Sequence, residues 1–330
     1  MSLVLAVEVD GGGAHAPRRV RHVAEVAERA GFALVTIEDD LLRPGRIGAV
    51  ERAAFIAAST TVLSVAPVVS TTYTEPFHVS SQLASVDHIA AGRAGWVVAA
   101  SPQPEAAAAW GRPQADPRQE ALDAVRVVRA LWDSWEDDAV IRDVATGRYL
   151  DRDRLHYVDF AGAAYTVKGP AIVPRPPQGQ LVVLARPGLV PDDEVDVALV
   201  GGADLDAVRR AAGATATPRT FAEVEVALDT AEADGADRVR SAPWASAEHL
   251  RYTGSAEGLV RLLRELDPWV DGVRLHPLAL DEDLAVLSQL VVPALVKERL
   301  ATRPLPGVAL RQTLGLPRPQ NRFAIPGGVA

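Results

Sequence analysis

The chain has 330 residues, of which 48% are hydrophobic and 23% charged, and its formal net charge is −9. The hydrophobic content is ample for a large core, and the modest charged fraction argues against wholesale disorder. A net negative charge makes a nucleic-acid groove or an anionic membrane surface an unfavourable partner. The chain contains no cysteine, which excludes disulfide bonds, thiolate catalysis and cysteine-based metal centres.

A length of 330 residues exceeds that of an ordinary domain but is normal for a single α/β barrel with insertions. The first 13 residues lack a basic region followed by a long apolar run, so they are typical of a first strand and not of a signal peptide. No stretch approaches the ~20 apolar residues that span a bilayer. We therefore expect a soluble cytoplasmic protein with one domain over residues 1–330.

Strand and helix patterns alternate along the chain. The predicted strands are nearly continuous apolar runs, as in a parallel sheet covered on both faces, and they span residues 3–9, 33–38, 61–69, 94–100, 181–185, 195–200, 220–228 and 270–275. The predicted helices have one apolar face and span residues 17–30, 48–58, 76–91, 118–135, 204–212, 255–266 and 281–300. These roughly eight βα units favour an α/β fold of the closed (β/α)8 TIM-barrel type over an open sheet.

Two segments depart from this alternation. Residues 136–180, after the fourth βα unit, combine charges, turn residues and short β-like pieces, and we interpret them as an insertion. Residues 301–330 are rich in Pro and Gly, and we expect this C-terminal tail to wrap the outside of the barrel.

Several motifs together resemble the luciferase-like flavin monooxygenases, in the branch of nitrilotriacetate and dibenzothiophene-sulfone monooxygenases. The motifs are IEDDL at residues 37–41, VVSTTYTEPFH at 68–78, SVDHIAAGRAGW at 85–96, RALWDSWEDDAVIRDVATGRY at 129–149 and RQTLGLPRPQNRFA at 311–324. The resemblance covers most of the chain. It implies a luciferase-like barrel whose substrate is a small organic molecule.

The resemblance also implies a cofactor and partners. The family uses molecular oxygen and reduced FMN, usually delivered by a separate flavin reductase, and some relatives use a deazaflavin instead. Members of the family usually form dimers, so the resemblance also implies a homo-oligomer, a dimer. Oxygen chemistry on a reduced flavin needs a pocket that excludes water, and the flavin phosphate needs backbone N–H groups, hydroxyls or Arg donors.

Candidate flavin-binding residues follow the second and third strands. Asp39 and Asp40 match the position of the family's acidic flavin contact, although a helix-capping pair is an equal alternative. Ser70, Thr71 and Thr72 end the third strand, where the family contacts the flavin. Threonine is common in strands for other reasons, so the motif around these hydroxyls carries the assignment.

Two further residues are catalytic candidates. His15 follows the first strand, where this branch tends to place a substrate-pocket histidine, and it is our candidate proton donor; an exposed loop histidine is the alternative. Ser101 ends the fourth strand and matches a serine of the family. For Glu75 and His78, at the start of the third helix, we expect a capping or surface role.

The chain departs from the family pattern at the flavin site. The fourth strand ends in VVAAS at residues 97–101, where the branch carries an amide and a further hydroxyl. After the fifth strand, relatives carry a serine-containing turn and a Gly-Arg helix start, whereas this chain runs into RPGLVPDDE at residues 186–194 with a shortened helix. Three consecutive carboxylates would repel a phosphate, and Arg186 is the substitute donor.

Two other classes of protein compete with the flavin enzyme. One is a degenerate barrel that no longer binds flavin and serves as a non-catalytic binding or partner subunit. The other is a metal- or carboxylate-dependent barrel hydrolase, which we disfavour because no ligand cluster is evident: His156, His249 and His276 are scattered in the sequence and no HxH or HxxxH spacing occurs. We therefore predict no metal site.

Overall fold

The structure, a computed structural model, describes residues 2–10, 16–39, 42, 45–242, 244 and 246–324. The strands, in chain order, are β1 (Val4–Glu8), β2 (Leu34–Ile37), β3 (Ser64–Ser70), β4 (Gly95–Ala99), β5 (Val140–Asp143), β6 (Arg148–Leu150), β7 (Val158–Ala161), β8 (Thr166–Gly169), β9 (Val182–Ala185), β10 (Val197–Val200), β11 (Arg219–Leu228), β12 (Leu250–Gly254) and β13 (Gly272–Pro277).

The α-helices flank these strands. They are α1 (Pro17–Ala30), α2 (Ala49–Ser59), α3 (Pro76–Ile89), α4 (Pro104–Trp110), α5 (Pro117–Asp133), α6 (Leu205–Ala214), α7 (Gly235–Ser241), α8 (Ala256–Leu266), α9 (Leu280–Val286), α10 (Val292–Lys297) and α11 (Leu310–Thr313). A π-helical stretch, Leu287–Val291, joins α9 to α10. It precedes Pro293, whose ring removes one backbone donor from the helix.

Eight parallel strands close into a barrel in the order β1-β2-β3-β4-β9-β10-β11-β13, and β13 pairs back to β1. The predicted (β/α)8 barrel is therefore confirmed. A strand that the sequence did not predict, β12, pairs in parallel with the carboxyl-terminal half of β11, beyond the part that pairs with β10. The strand β11 thus has β13 on one side and first β10, then β12, on the other.

The barrel interior is apolar at its lower end, where the strands begin. Alternate residues of each strand point inward, and they form a buried cluster whose members include Val4, Leu34, Ala66, Val97, Val182, Val197 and Phe221. A larger apolar cluster lies between the outer faces of the strands and the helices. The upper end of the interior is polar instead, and it carries the candidate site described below.

The C-terminal tail differs from our expectation. Helix α11 and the residues after it place Leu310 and Leu314 in the lower interior cluster, both with no exposed surface, and Leu316 is 7% exposed there. A Cβ on Gly95 would lie 3.1 Å from Leu310, so glycine at that point of β4 leaves room for the leucine. The prediction that the tail wraps the outside was wrong for this part, because its leucines close the bottom of the barrel.

Residues 136–180 lie outside the barrel sheet. They form two separate antiparallel hairpins, β5 with β6 and β7 with β8. Trp135 anchors the start of the segment, since its indole N–H donates to the carbonyl of Ala171 at 2.7 Å. The helices α4 and α7 were also missed by the sequence analysis; each has only seven residues.

The Asp87 carboxylate, near the end of α3, is buried and makes the stability of the fold depend on pH. Its Oδ1 accepts hydrogen bonds from the backbone N–H of Ala94 at 3.0 Å and from Gln178 at 2.7 Å. Its buried Oδ2 has no hydrogen-bond partner among the described residues. Burial raises the pKa of Asp87 from 3.8 to about 6, so the folded state loses stability as the pH rises from about 4 through 6.

We expect Asp87→Asn to remove this pH dependence. One pKa unit corresponds to 1.36 kcal/mol. The free energy of unfolding of the variant, relative to that of the unaltered protein, should therefore rise by about 3 kcal/mol as the pH increases from 4 to 7.5. Urea unfolding of both proteins across that range measures the gain. A constant difference between the two proteins at every pH would contradict the prediction.

Candidate active site at the barrel mouth

The carboxyl ends of the barrel strands surround a cavity of about 700 Å³. One wall is apolar and includes Val68, Val97, Ala99, Ala100 and Leu199. The polar part of the lining consists of charged side chains, namely Glu38, Arg118, Arg186, Glu223, Glu248 and Arg274. Ligands of parallel α/β barrels bind at this end of the strands, so we call this space the mouth cavity.

The floor of the mouth cavity is a buried network centred on Arg274, which lies on β13. Its guanidinium donates to Glu8 at 2.7 Å, to Glu223 at 2.8 Å and to the hydroxyl of Thr36 at 2.8 Å. Burial opposes the charge on Arg274, but the neighbouring carboxylates hold its pKa above the ordinary value. Burial raises the pKa of Glu8 to about 7.

The sequence analysis missed this network, although a signal for it exists. Glu8 ends an otherwise apolar strand, VLAVE, and Glu223 and Arg274 each lie within a largely apolar strand, RTFAEVEVAL and GVRLHP. A charged side chain inside such a strand must find a partner, because an unpaired buried charge is costly. Read in this way, the three charged residues would have indicated a shared ionic network inside the barrel.

His249 and His276 lie side by side at the edge of this network. Their rings stack at 4.4 Å between centroids, and each Nε2 faces the carboxylate of Glu223, at 3.1 Å for His249 and 3.3 Å for His276. Burial and the charge of Arg274 lower the pKa of His276 to about 4. Although its burial acts in the opposite direction, hydrogen bonds from the histidines and the charge of Arg274 hold the pKa of Glu223 well below its usual range.

This arrangement corrects one argument of the sequence analysis. His249 and His276 were judged too scattered to share a site, but the strands beside them bring them together on Glu223. His249 directly precedes β12 and His276 lies on β13, and both of these strands pair with β11. His156 is elsewhere, stacked on Phe323 and hydrogen-bonded to Glu136 at 2.8 Å.

Ser70, Ser101 and Asp39 line a second cavity of about 410 Å³ beside the first. The hydroxyl groups of Ser70 and Ser101 lie 2.9 Å apart and form a hydrogen bond. Asp39 accepts a hydrogen bond from the backbone N–H of Ala49 at 3.0 Å, which ties it to the start of α2. Asp39 therefore makes a helix-capping contact, which the sequence analysis gave as the alternative to flavin binding.

Thr71 and Thr72 are buried and bind β3 to the end of β4. The Thr71 hydroxyl donates to the carbonyl of Ala99 at 3.0 Å, and Thr72 accepts from the backbone N–H of Ser101 at 3.0 Å. Neither threonine lines the two cavities. Glu75 caps α3 by accepting from the N–H groups of Phe77 and His78. The candidates His15 and Asp40 lie outside the described residues.

Arg186 reaches the mouth cavity, but acidic side chains surround it. Its guanidinium lies 3.3 Å from Glu223 and also forms an ion pair with Glu248. Beyond it, the chain makes a turn and only a three-residue 3-10 helix, Asp192–Glu194. Asp192 accepts from Thr215 and Ala216, and Glu194 pairs with Arg126 at 2.7 Å. The segment between β9 and β10, all of which the structure describes, therefore provides no phosphate cradle built from the start of an α-helix.

The mouth cavity nevertheless suits the ring of a flavin. It offers an apolar wall on one side and hydrogen-bonding groups on the other, as the two faces and the edge of an isoalloxazine require. The exposed Arg118, which lines the same cavity, belongs to the first turn of α5 and makes no ion pair with another described residue. It is the basic group best placed to meet a phosphate there.

Residues 1–256 match the family model of the luciferase-like monooxygenases. The chain belongs to this family. It is 33% identical over 193 residues to dibenzothiophene-sulfone monooxygenase from Rhodococcus erythropolis, covering 52% of this chain and 42% of that protein. It is 37% identical over 146 residues to nitrilotriacetate monooxygenase component A from Aminobacter aminovorans, covering 43% and 32%. The chain thus spans less than half the length of these relatives.

A third relative matches along nearly its whole length. One of the subunits of pristinamycin IIA synthase from Streptomyces pristinaespiralis is 29% identical over 308 residues, which cover 93% of this chain and 91% of that protein. Among solved structures, a riboflavin lyase with modified FMN and riboflavin superposes with a TM-score of 0.77 at 20% identity, covering 96% of each chain. A long-chain alkane monooxygenase superposes with a TM-score of 0.78 at 18% identity, covering 95% of each chain. These likenesses support the barrel fold.

No helix within the described parts of the chain has the length and apolar character needed to span a membrane.

Proposed function

We propose that the protein is a flavin-dependent monooxygenase that acts on a small organic substrate with reduced FMN and molecular oxygen. The mouth cavity of about 700 Å³ carries this proposal, because it lies where barrel enzymes bind ligands and combines an apolar wall with polar groups. A separate flavin reductase would supply the reduced cofactor. That step is in keeping with a relative named as component A of a monooxygenase.

The residues that line the mouth cavity would have different roles. Val97, Ala99 and Leu199 would lie against the flavin ring and exclude water from it, while Glu38 and Arg274 would offer an acceptor and donors to its polar edge. When bound, the reduced flavin supplies the activation of oxygen. The protein's own contribution is then orientation and a dry site, and the buried ion pairs of Arg274 keep the cavity floor in place.

The phosphate would rest on Arg118, since the helix expected after β9 is missing. A hydrogen bond to a charged group contributes about 1.5–3 kcal/mol, which corresponds to a preference for FMN over riboflavin of about ten- to 150-fold. A complete phosphate cradle would give a much larger preference. Comparing the two ligands therefore isolates the phosphate end of the site.

The test is a titration of the purified protein with oxidised and reduced FMN and with riboflavin, followed by flavin absorbance and tryptophan fluorescence. We expect Arg118→Gln to abolish the preference for FMN while leaving riboflavin binding unchanged. Arg126→Gln is the matched control, since Arg126 lies on the same helix and pairs with Glu194 instead. Ala99→Leu, which narrows the cavity at its apolar wall, should weaken binding of both ligands.

A second candidate function is a non-catalytic partner subunit. The relative that matches nearly the whole chain is named as one subunit of a synthase. In addition, the strand-end hydroxyls of Ser70 and Ser101 bond to each other, and Arg186 is held by carboxylates. Failure to bind either flavin at high micromolar concentration would refute the enzyme proposal and favour this one.

The same titration distinguishes the type of flavin. Binding of a deazaflavin alone would move the protein to the deazaflavin branch of the family.

We also propose that the protein forms a homo-oligomer, a dimer. Light scattering during gel filtration measures the oligomeric state directly. A monomer in the absence of any partner would contradict the dimer.

A further inference from the structure

We propose that Glu223, His249 and His276 bind a divalent transition-metal ion beside the mouth cavity. One ligand atom from each residue lies within 4.8 Å of the other two. We call these residues the His–Glu cluster. Glu223 is 1% exposed and His249 6% exposed, so the position is built into the barrel wall and is not a chance surface grouping.

The histidine–carboxylate distances within the cluster are close to the ligand spacing of a metal ion. In a tetrahedral site with bonds of about 2.0–2.1 Å, neighbouring ligand atoms lie about 3.3 Å apart. The Nε2 of His249 is 3.1 Å from Oε2 of Glu223, and the Nε2 of His276 is 3.3 Å from the other oxygen, Oε1. A rotation of the Glu223 carboxylate that brings one oxygen towards both nitrogens would complete the set, whose ligand atoms already lie within 4.8 Å of one another. Two imidazoles and one carboxylate form the three-ligand set of zinc sites that keep a fourth position open.

The hydrogen bonds of His249 are incompatible without such an ion. Its Nε2 lies 2.8 Å from a guanidinium nitrogen of Arg186, which can only donate, and 3.1 Å from the ionised Glu223, which can only accept. One nitrogen cannot satisfy both groups. The other ring nitrogen, Nδ1, is buried and has no hydrogen-bond partner among the described residues. A buried polar atom in this state costs about 1–3 kcal/mol.

A metal ion in place of the Arg186 contact resolves this conflict. The lone pair of His249 Nε2 would then bind the ion, and the proton would move to Nδ1. That nitrogen lies 4.0 Å from Oε1 of Glu225, which is longer than a hydrogen bond, so His249 would have to move closer for this carboxylate to orient it as carboxylates orient other metal-bound histidines. Arg186 can withdraw, because its side chain is 47% exposed and its partner Glu248 is 72% exposed.

The charges around the cluster favour a cation. Glu223 belongs to the cluster, Oε1 of Glu225 lies 4.0 Å from Nδ1 of His249, and Glu248 pairs with Arg186 at its edge. When Arg186 withdraws, a divalent ion would replace its positive charge among these carboxylates. Imidazole ligands select zinc and its first-row neighbours over magnesium and calcium, which prefer oxygen.

The open coordination position would face the mouth cavity. Glu223 lines that cavity, as do Arg186 and Glu248, so withdrawal of Arg186 opens a path from the cavity to the ion. A ligand with a carboxylate or hydroxyl oxygen could therefore reach the metal while the rest of it occupied the cavity. The metal site shares Glu223 with the floor of the mouth cavity, but it uses neither Arg118 nor the apolar wall, so zinc binding to the flavin-free protein can be measured apart from flavin binding.

The experiment uses zinc and cobalt with the flavin-free full chain after treatment with a chelator. We expect one equivalent of Zn²⁺ to bind with a Kd on the order of 1 µM or tighter, and bound Co²⁺ to show the intense visible absorption of a tetrahedral site. His249→Gln and His276→Gln should each weaken zinc binding at least about tenfold. His156→Gln is the matched control, since this histidine also faces a carboxylate but lies outside the cluster.

Arg186→Ala separates a true site from a folding effect, because it leaves all three ligands intact. It should tighten zinc binding about tenfold or more by removing the competing cation, and circular dichroism verifies that each variant is folded. The proposal is overturned if zinc does not bind at 100 µM, on the order of a hundred times the expected Kd. It is also overturned if binding is unchanged in both histidine variants, or if Arg186→Ala binds no more tightly than the unaltered protein.

Discussion

Arg274→Met is expected to lower the free energy of unfolding at pH 7 by about 3–5 kcal/mol. Arg274 is buried, and it donates to Glu8, Glu223 and Thr36 at 2.7–2.8 Å inside the barrel. Methionine fills much of the same volume but supplies no charge, so Glu8 and Glu223 lose the buried cation that they share. Urea unfolding followed by tryptophan fluorescence measures the loss.

Two comparisons establish that the lost charge is the cause. The deficit should shrink as the pH falls towards 5, because unpaired buried carboxylates have raised pKa values and take up protons. The double variant Glu223→Gln with Arg274→Met should lose less than the single variant, since it leaves fewer buried charges unpaired. If the deficit is the same at every pH and in the double variant, loss of packing and not of charge would explain it.

Arg311→Met is expected to cost about 3 kcal/mol and to release the helix that closes the bottom of the barrel. The guanidinium of Arg311 donates to both oxygens of Asp196 at 3.0 Å and to the carbonyl of Gln180 at 2.8 Å. Asp196 keeps a second partner, Arg129, at 3.0 Å, so the cost should lie at the lower end of the range for broken buried pairs.

Hydrogen exchange provides the second measurement for this variant. The N–H of Leu310 donates to the carbonyl of Gly92 at 2.9 Å, and its exchange should accelerate more than that of the barrel strands. Arg318→Met is the control, because Arg318 lies in the same tail and its ion pair with Asp137 is half-exposed. Exposed pairs contribute about 0–1 kcal/mol. Equal losses in the two variants would show that Arg311 does not anchor the tail.

The alternating patterns of the sequence predicted the barrel well. Each barrel strand overlaps a predicted range, in the predicted chain order, and the apolar runs match the buried strands β1, β3 and β9. Patterns of this kind are local, because the spacing of apolar residues reports which face of one element is buried. Short elements such as α4, α7 and β12 have too few residues to show a period.

The candidate site was predictable only in part. Ser70, Ser101 and Asp39 do line a cavity, and Arg186 lines its neighbour, so the motifs pointed to the correct end of the barrel. The motifs could not reveal that Thr71 and Thr72 bond across to β4, or that Arg186 is held by two glutamates. Those contacts join residues from different strands, and their partners depend on how the barrel closes.

The sequence by itself determined the family, the strand order and the apolar outer faces of the strands. Only the tertiary structure decided what meets inside the barrel. The register of β11 against β13 sets Glu223 beside Arg274 and Glu225 beside His276, and β12 brings His249 to the same carboxylates. A shift of one residue would turn every one of these side chains to the opposite face. Register is a property of paired strands, so no single segment of the chain could have revealed the His–Glu cluster.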